Sequence, residues 1–226
     1  MSPGHSQFIT TSAHGITHLP EDISFEVGVM LTADGLGVPY GASSRAHVND
    51  QDITCVFGCG PVGLGMVLVQ SWLGAHVIAV EPSKARRDLA LKMGAWQVVD
   101  PTSTDNMTGL LKDMTDGIGP DKCFECSGRQ DTLDVAMDAT APEGLIMLVG
   151  HGPQSIDPQK LIVKRNLTMS GNWVAHPKWY PAMLDMVRKG FPIERLLTCY
   201  SYKECQEAFN SMLEARSAKA ILLWND

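Results

Sequence analysis

One short stretch constrains this chain more than any other. It is Gly58-Cys59-Gly60-Pro61-Val62-Gly63, set between an apolar run, Ile53–Phe57, and a helical pattern over 62–73. A strand, a glycine turn and a helix in that order present free N–H groups and the helix's partial positive charge to one point, which suits a phosphate. Gly58 permits the tight turn, Gly60 lets the backbone approach a pyrophosphate, and Gly63 allows the helix to pack closely on the strand. A merely glycine-rich turn is the alternative, but the flanking strand and helix favour dinucleotide binding. Glu81 adds to the case. It closes a second apolar run, His76–Val80, and stands 21 residues beyond Gly60. An acid there can accept hydrogen bonds from both adenosine-ribose hydroxyls and would repel a 2′-phosphate, so NAD is favoured over NADP. Two alternatives stay open: Glu81 as a solvated acid at a helix start, and Arg86 or Arg87 as partners for a 2′-phosphate.

The rest of the chain keeps the same rhythm. Helical patterns over 83–93, 107–114 and 132–139 alternate with short runs at Gln97–Val99, Lys122–Glu125 and 145–149. Such alternation predicts right-handed βαβ units, hence an α/β fold with a doubly wound parallel sheet of the Rossmann type. Both ends break the rhythm. Residues 1–34 open on a polar, turn-like stretch at 1–6, then carry strand-like pieces and a loop, Leu19-Pro20-Glu21-Asp22. Near the C-terminus, Ser201 and Glu204 have capping-box spacing, which predicts a helix to about Arg216 and then a closing strand at 220–223.

Composition narrows the function. With a net charge of -7 and no Lys/Arg run, the chain lacks the basic surplus that a nucleic-acid or membrane surface requires. No signal peptide and no spanning apolar stretch is visible, so the expected location is cytoplasmic, with the six cysteines reduced.

Taken together, several motifs resemble the medium-chain dehydrogenase/reductase superfamily, specifically the zinc-type alcohol and polyol dehydrogenases. They are His18-Leu-Pro-Glu-Asp-Ile-Ser24, the glycine turn, Val80-Glu-Pro-Ser83, Gly94-Ala95, Phe124-Glu-Cys-Ser-Gly128, Val149-Gly150 and Ala218-Lys-Ala-Ile-Leu222. The resemblance implies further cofactor contacts: Arg86 beside the adenosine, and Cys126, Ser127 and Arg129 near the nicotinamide ribose. It also implies Val149, Gly150 and His151 at the carboxamide, Asn172, Trp173 and Val174 in a lining loop, and Lys219 reaching the pyrophosphate. Ordinary loop or surface chemistry is the alternative for each. The resemblance further implies a division into 1–34 as the tail of a chaperonin-10-like catalytic barrel, 35–196 as the NAD-binding domain, and 197–226 as a C-terminal return segment. The chain is thus expected to be N-terminally truncated. A homodimer or homotetramer is expected, joined through an edge strand within 161–170.

Asp34 matches the family's third zinc ligand, a role a carboxylate oxygen can fill. Its alternative is the N-cap of a helix over 35–42. Cys123 and Cys126 sit three apart on a predicted strand and point to opposite faces, so neither a disulfide nor joint metal ligation is expected. His14 and His18 have helical metal-site spacing, yet Gly15 and Pro20 argue against a helix. Met107, Met114, Met137, Met147, Met183 and Met186 are expected to fill core, and Trp173 and Trp179 to pack in a core or interface. No catalytic residue is assigned. The leading expectation is an NAD-dependent alcohol or polyol dehydrogenase, with zinc in the intact parent enzyme; the chain as given is expected to bind cofactor but, with Asp34 as its single candidate ligand, not to hold zinc alone. The alternatives are a non-catalytic dinucleotide-binding module and a methyltransferase; the turn spacing and the tail from Ala218 argue against the methyltransferase.

Overall fold

The computed structural model describes residues 6–163 and 165–224. Two helices, α1 (Phe25–Leu31) and α2 (Gly37–Arg45), precede the sheet. Then follow β1 (Ile53–Phe57), α3 (Pro61–Trp72), β2 (His76–Val80), α4 (Lys84–Lys92), β3 (Gln97–Val99) and α5 (Met107–Asp113). The second half runs β4 (Lys122–Glu125), α6 (Gln130–Ala139), β5 (Leu145–Leu148), α7 (Pro158–Ile162), β6 (Thr168–Gly171) and α8 (Tyr180–Arg188). β7 (Leu197–Ser201), α9 (Cys205–Leu213) and β8 (Lys219–Leu223) close the chain.

β1 to β6 form one parallel sheet in the order β3-β2-β1-β4-β5-β6. Its central strands are largely apolar because both faces are covered. Leu64, Val67 and Ala90 pack with Met30, Ala42 and Met183 on one face. Leu111, Leu133 and Ala136 fill the other. The expected doubly wound architecture is therefore present. Strand order reverses between β1 and β4, and ligands of open α/β sheets bind in the crevice at that switch, outside the carboxyl ends of the strands. Register fixes what faces it: Phe57 pairs with Val80 on one side and Glu125 on the other. Two acids, Glu81 and Glu125, thus flank the end of β1.

The expected elements from Ile53 to Ala139 form, most within one or two residues of their predicted bounds. Three expectations fail. The strand-like pieces before residue 34 are a 3-10 turn, Ala13–Gly15, and α1. Phe25, Val27 and Val29 alternate like a strand, but Ser24 accepts the Val27 N–H at 3.4 Å and starts a helix. That helix buries Met30 and Leu31. Arg188 of α8 grips Asp22 through two nitrogen donors, at 2.8 and 3.0 Å, and ties this segment to the body. The guanidinium's hydrogen bond holds the Asp22 carboxyl below its usual range.

The second failure concerns 161–170. Leu161 and Ile162 end α7 rather than forming a strand. Asp157 caps that helix by accepting the Gln159 N–H, and Pro158 occupies its first position, so local start signals override β propensity. Only Thr168–Gly171 is strand, and it forms the β6 edge, parallel to β5. Lys164 lies outside the described residues, as do residues 1–5, where most of the polar leading stretch falls. Third, the alternative given for Asp34 does not hold: it does not cap α2. Leu36 has that position without a side-chain cap, and Asp34 is exposed in the preceding turn.

The predicted capping box is present. Ser201 and Glu204 bond reciprocally, first in a 3-10 turn that leads into α9, which ends at Leu213 rather than Arg216. β7 and β8 pair in parallel as a separate two-stranded sheet. Met137, Met147, Met183 and Met186 are buried as expected, with Met107 and Met114 packed at the margin. Among the described residues no helix is long and apolar enough to cross a membrane.

Candidate functional site

Gly58 follows β1 with φ of 90° and donates its N–H to the Val80 carbonyl at 2.9 Å, which pins the turn to the end of β2. A side chain at Gly63 would collide with the Gly58 carbonyl oxygen, so the helix can sit this close only with glycine there. Gly60 differs. A Cβ on it would meet nothing within 4 Å. The protein's own packing does not demand glycine at 60, whereas a ligand lying on the backbone would. Gly60 is the N-cap of α3, no side chain caps that terminus, and Pro61 occupies the first turn. These features fit a pyrophosphate held by backbone N–H groups and the helix dipole.

Glu81 is buried beside this turn. One carboxylate oxygen accepts the Cys59 N–H at 2.8 Å and the other the Ser83 N–H at 3.0 Å. It therefore shapes the glycine turn as well as facing it, a role the sequence spacing does not reveal. A carboxylate offers about four acceptor sites, which leaves capacity for ribose hydroxyls. The two arginines separate. Arg87 donates to the Glu81 and Pro82 carbonyls, both at 2.7 Å, and pairs with Asp100 at 2.9 Å. It is committed to holding the β2–α4 connection. Arg86 instead lines a cavity of about 310 Å³ together with Cys59, Gly60, Pro61 and Leu64. Phe209, Met212 and Leu213 of α9 supply its apolar wall, and Ala218, next to Lys219, closes it. Lys219 itself starts β8, half-buried.

Across the crevice, Ser127 lies against the glycine turn: its Cβ would be 3.1 Å from a Cβ on Gly58. Cys126 is tied to β1 by its N–H, bonded to the Phe57 carbonyl at 2.9 Å. Burial first, and the Glu81 carboxylate second, push the Cys59 thiol up to about 12. Burial and then Glu125 raise Cys126 well above the ordinary thiol range. Both stay protonated at neutral pH, and all six cysteines are free, in keeping with the discounted Cys123–Cys126 pair.

A second cavity of about 450 Å³ brings together Val149, Gly150, His151 and Trp173, with Arg45 and Asn172. The His151 and Trp173 rings meet edge to face with centroids 4.4 Å apart. Trp173 is 69% exposed and Val174 57%, so Trp173 packs in no core of this chain, contrary to that half of its expectation. Trp179 does pack, edge-on against Tyr40 at 5.9 Å. Asn172 is buried and donates to the Val38 carbonyl at 3.3 Å. Arg129 is exposed and pairs with Asp131 at 2.6 Å. Sequence reasoning missed Arg45, Gln154, Thr132 and the α9 wall. It also missed Glu125, although the signal was there: like Glu81, it is an acid closing a buried strand.

Zinc is expected in the intact parent enzyme and not in this chain alone. Among the described residues no three His, Cys, Asp or Glu side chains come together as metal ligands. Asp34 stands as a single candidate ligand, and His14 lies exposed on the 3-10 turn. The described residues do not by themselves fit a zinc site.

Comparison with known proteins adds an independent line. Residues 61–189 match the family described as zinc-binding dehydrogenase. The chain is 28% identical to (R,R)-butanediol dehydrogenase of Bacillus subtilis (strain 168), over 97% of this chain and 64% of that protein. It is 34% identical to L-threonine 3-dehydrogenase of Pyrococcus furiosus, over 74% of this chain and 50% of that protein. The crystal structure of 2R,3R-butanediol dehydrogenase from Bacillus subtilis superimposes with a TM-score of 0.81 at 27% identity, covering 92% of this chain and 60% of that one. The chain thus spans between half and two thirds of the length of these relatives.

Proposed function

Because the chain belongs to the zinc-binding dehydrogenase family, we propose that it binds NAD in the crevice at the end of β1, as the cofactor-binding part of an alcohol or polyol dehydrogenase. The observation that carries this reading is Gly60: a glycine that packing does not require, at an uncapped helix N-terminus, beside a buried acid. In this reading the backbone at Gly60 to Gly63 and Lys219 hold the pyrophosphate. Glu81 and Arg86 hold the adenosine ribose. Cys126, Ser127, Val149, Gly150 and His151, with Trp173 and Val174 at the rim, orient the nicotinamide ring. Residues 35–196 would form the cofactor domain, with 1–34 as the tail of a catalytic domain and 197–226 as a C-terminal return segment. When bound, the nicotinamide supplies the hydride chemistry; the protein's part is to bind and aim it.

The substrate class, a small secondary alcohol or polyol, rests on the names of the relatives. A second reading, a dinucleotide-binding module without chemistry of its own, is favoured by one observation. Asp34 stands without partner ligands among the described residues, whereas a catalytic zinc takes three protein ligands and an open position. Both readings are addressed on one preparation, by NADH binding and by NAD reduction with secondary alcohols, polyols and L-threonine, with and without zinc. The expected result for the chain as given is binding without zinc-dependent turnover. Robust zinc-dependent turnover would assign the chemistry to residues the present reading leaves idle.

Self-association is part of the proposal. β6 leaves one edge of the sheet without a strand partner among the described residues, and an open edge invites pairing with a second copy. The expected result is a dimer or tetramer in sedimentation at micromolar concentration. A monomeric mass would remove this part.

A further inference from the structure

Glu125 is fully buried and takes no part in the binding scheme above. Its carboxylate nonetheless carries a dense hydrogen-bond cluster in the crevice. One oxygen accepts from the Ser127 N–H at 2.8 Å, the Ser127 hydroxyl at 2.5 Å and the Thr132 hydroxyl at 3.0 Å. The Gly128 N–H reaches both oxygens, at 3.1 and 3.0 Å. The second oxygen also accepts from Gln154 Nε2 at 3.0 Å, and the same Gln154 nitrogen donates to the Arg129 carbonyl at 3.0 Å. The Glu125 carbonyl takes the N–H groups of Val149 and Gly150, at 2.9 and 2.8 Å.

One residue thus binds the end of β4, the start of α6 and the loop that follows β5. Those are the two loops on the nicotinamide side of the crevice. Their approach is close: a Cβ on Gly150 would run into the Gly128 nitrogen and lie 2.8 Å from Glu125 Oε2. The adenosine side is held separately, by the glycine turn and by Glu81 through Cys59 and Ser83. Two buried acids therefore divide the crevice, each shaping one half. A buried charge is costly unless its hydrogen bonds are met, and a well-satisfied cluster is rigid.

We propose that Glu125 is the positioning residue for the nicotinamide half of the site, clamping the loops after β4 and β5 in one geometry through Ser127, Gly128 and Gln154. This rests on the reading that the crevice binds NAD. Gln154 is the accessible handle, because it is half-buried and its removal cuts the one side-chain bond from the later loop to the Glu125 carboxylate, leaving the Gln130–Ser155 bonds and the sheet core in place. The measurement is the affinity of NADH and of ADP for the full chain and for Glu125→Gln and Gln154→Ala, with thermal midpoints in parallel. ADP engages only the adenosine side. Gln154→Ala is expected to weaken NADH by about tenfold, the equivalent of one hydrogen bond to a charged group, and to leave ADP within about twofold. Glu125→Gln, which places an amide donor among N–H donors, is expected to do the same or more. The inference is overturned if Gln154→Ala leaves NADH unchanged, or if NADH and ADP weaken in parallel. A native chain that binds neither ligand would instead remove the NAD reading itself.

Discussion

Gly60→Ala is expected to leave the fold intact and abolish most of the affinity for NADH, whereas Gly63→Ala should damage both. At Gly60 the backbone has φ of -69°, which alanine adopts freely, and a Cβ meets nothing within 4 Å. Alanine is a poorer N-cap than glycine but lowers the entropy of the unfolded chain, so the net change in stability should stay within about 1 kcal/mol. In the proposed binding mode a methyl group there would nevertheless stand where the pyrophosphate lies on the backbone. Losing one or two hydrogen bonds to a charged phosphate costs about 2–3 kcal/mol, or roughly 30-fold to 150-fold in affinity. At Gly63 the added Cβ meets the Gly58 carbonyl, a backbone atom that cannot rotate away. Overpacking of this kind costs about 1–3 kcal/mol, and the rigidity of the turn puts it at the upper end. Thermal denaturation and NADH titration on both variants separate the two. Equal losses of stability in both, or undiminished NADH affinity in Gly60→Ala, would contradict the assignment of the turn.

Glu81→Ala should collapse the discrimination between NADH and NADPH. Two effects operate together. The carboxylate can accept from ribose hydroxyls, and it repels a 2′-phosphate; like charges brought together in this way cost several kcal/mol. Removing it also deprives the Cys59 and Ser83 N–H groups of their acceptor, which loosens the turn. That second effect weakens both cofactors alike, so it cancels in their ratio. The expected outcome is a tenfold or greater loss for NADH, in the range of about one hydrogen bond to a charged group, with NADPH much less affected. Arg86, which lines the cavity with Cys59 and Gly60, then becomes the candidate partner for a 2′-phosphate, because Arg87 is bound to Asp100 and two carbonyls. A preference for NADH that survives the substitution unchanged would show that another group reads the 2′ position.

Most of the sheet is legible in the sequence because its signals are local. Apolar runs such as Ile53–Phe57 and 145–149 are bounded by glycine or acids, and helical segments open on caps such as Ser83 and Ser201. The glycine turn is legible for a different reason: spacing and flanking elements together encode a mechanism. The failures share a cause as well. Phe25, Val27 and Val29 alternate like a strand, and Leu161 to Val163 have strand composition, yet single capping residues, Ser24 and Asp157, decide both segments. Glu125 and Gln154 escape because their roles lie in contacts between loops 29 residues apart, which no local pattern records. The wall that α9 contributes to the cavity at Arg86 is hidden for the same reason. Asp34 could be read only by resemblance, and the partners that would make it a metal ligand are not supplied by the described residues.

In the proposed reading the chain itself carries a working NAD site at the β1 turn. The most direct measurement is a fluorescence titration of the unmodified chain with NADH and, in parallel, with NADPH, each challenged by excess NAD and by S-adenosylmethionine. The expected result is saturable NADH binding, displaced by NAD and untouched by S-adenosylmethionine, with NADPH weaker by about a hundredfold or more, as a like-charge penalty of several kcal/mol requires. No saturable NADH binding, or equal affinity for the two cofactors, would contradict it.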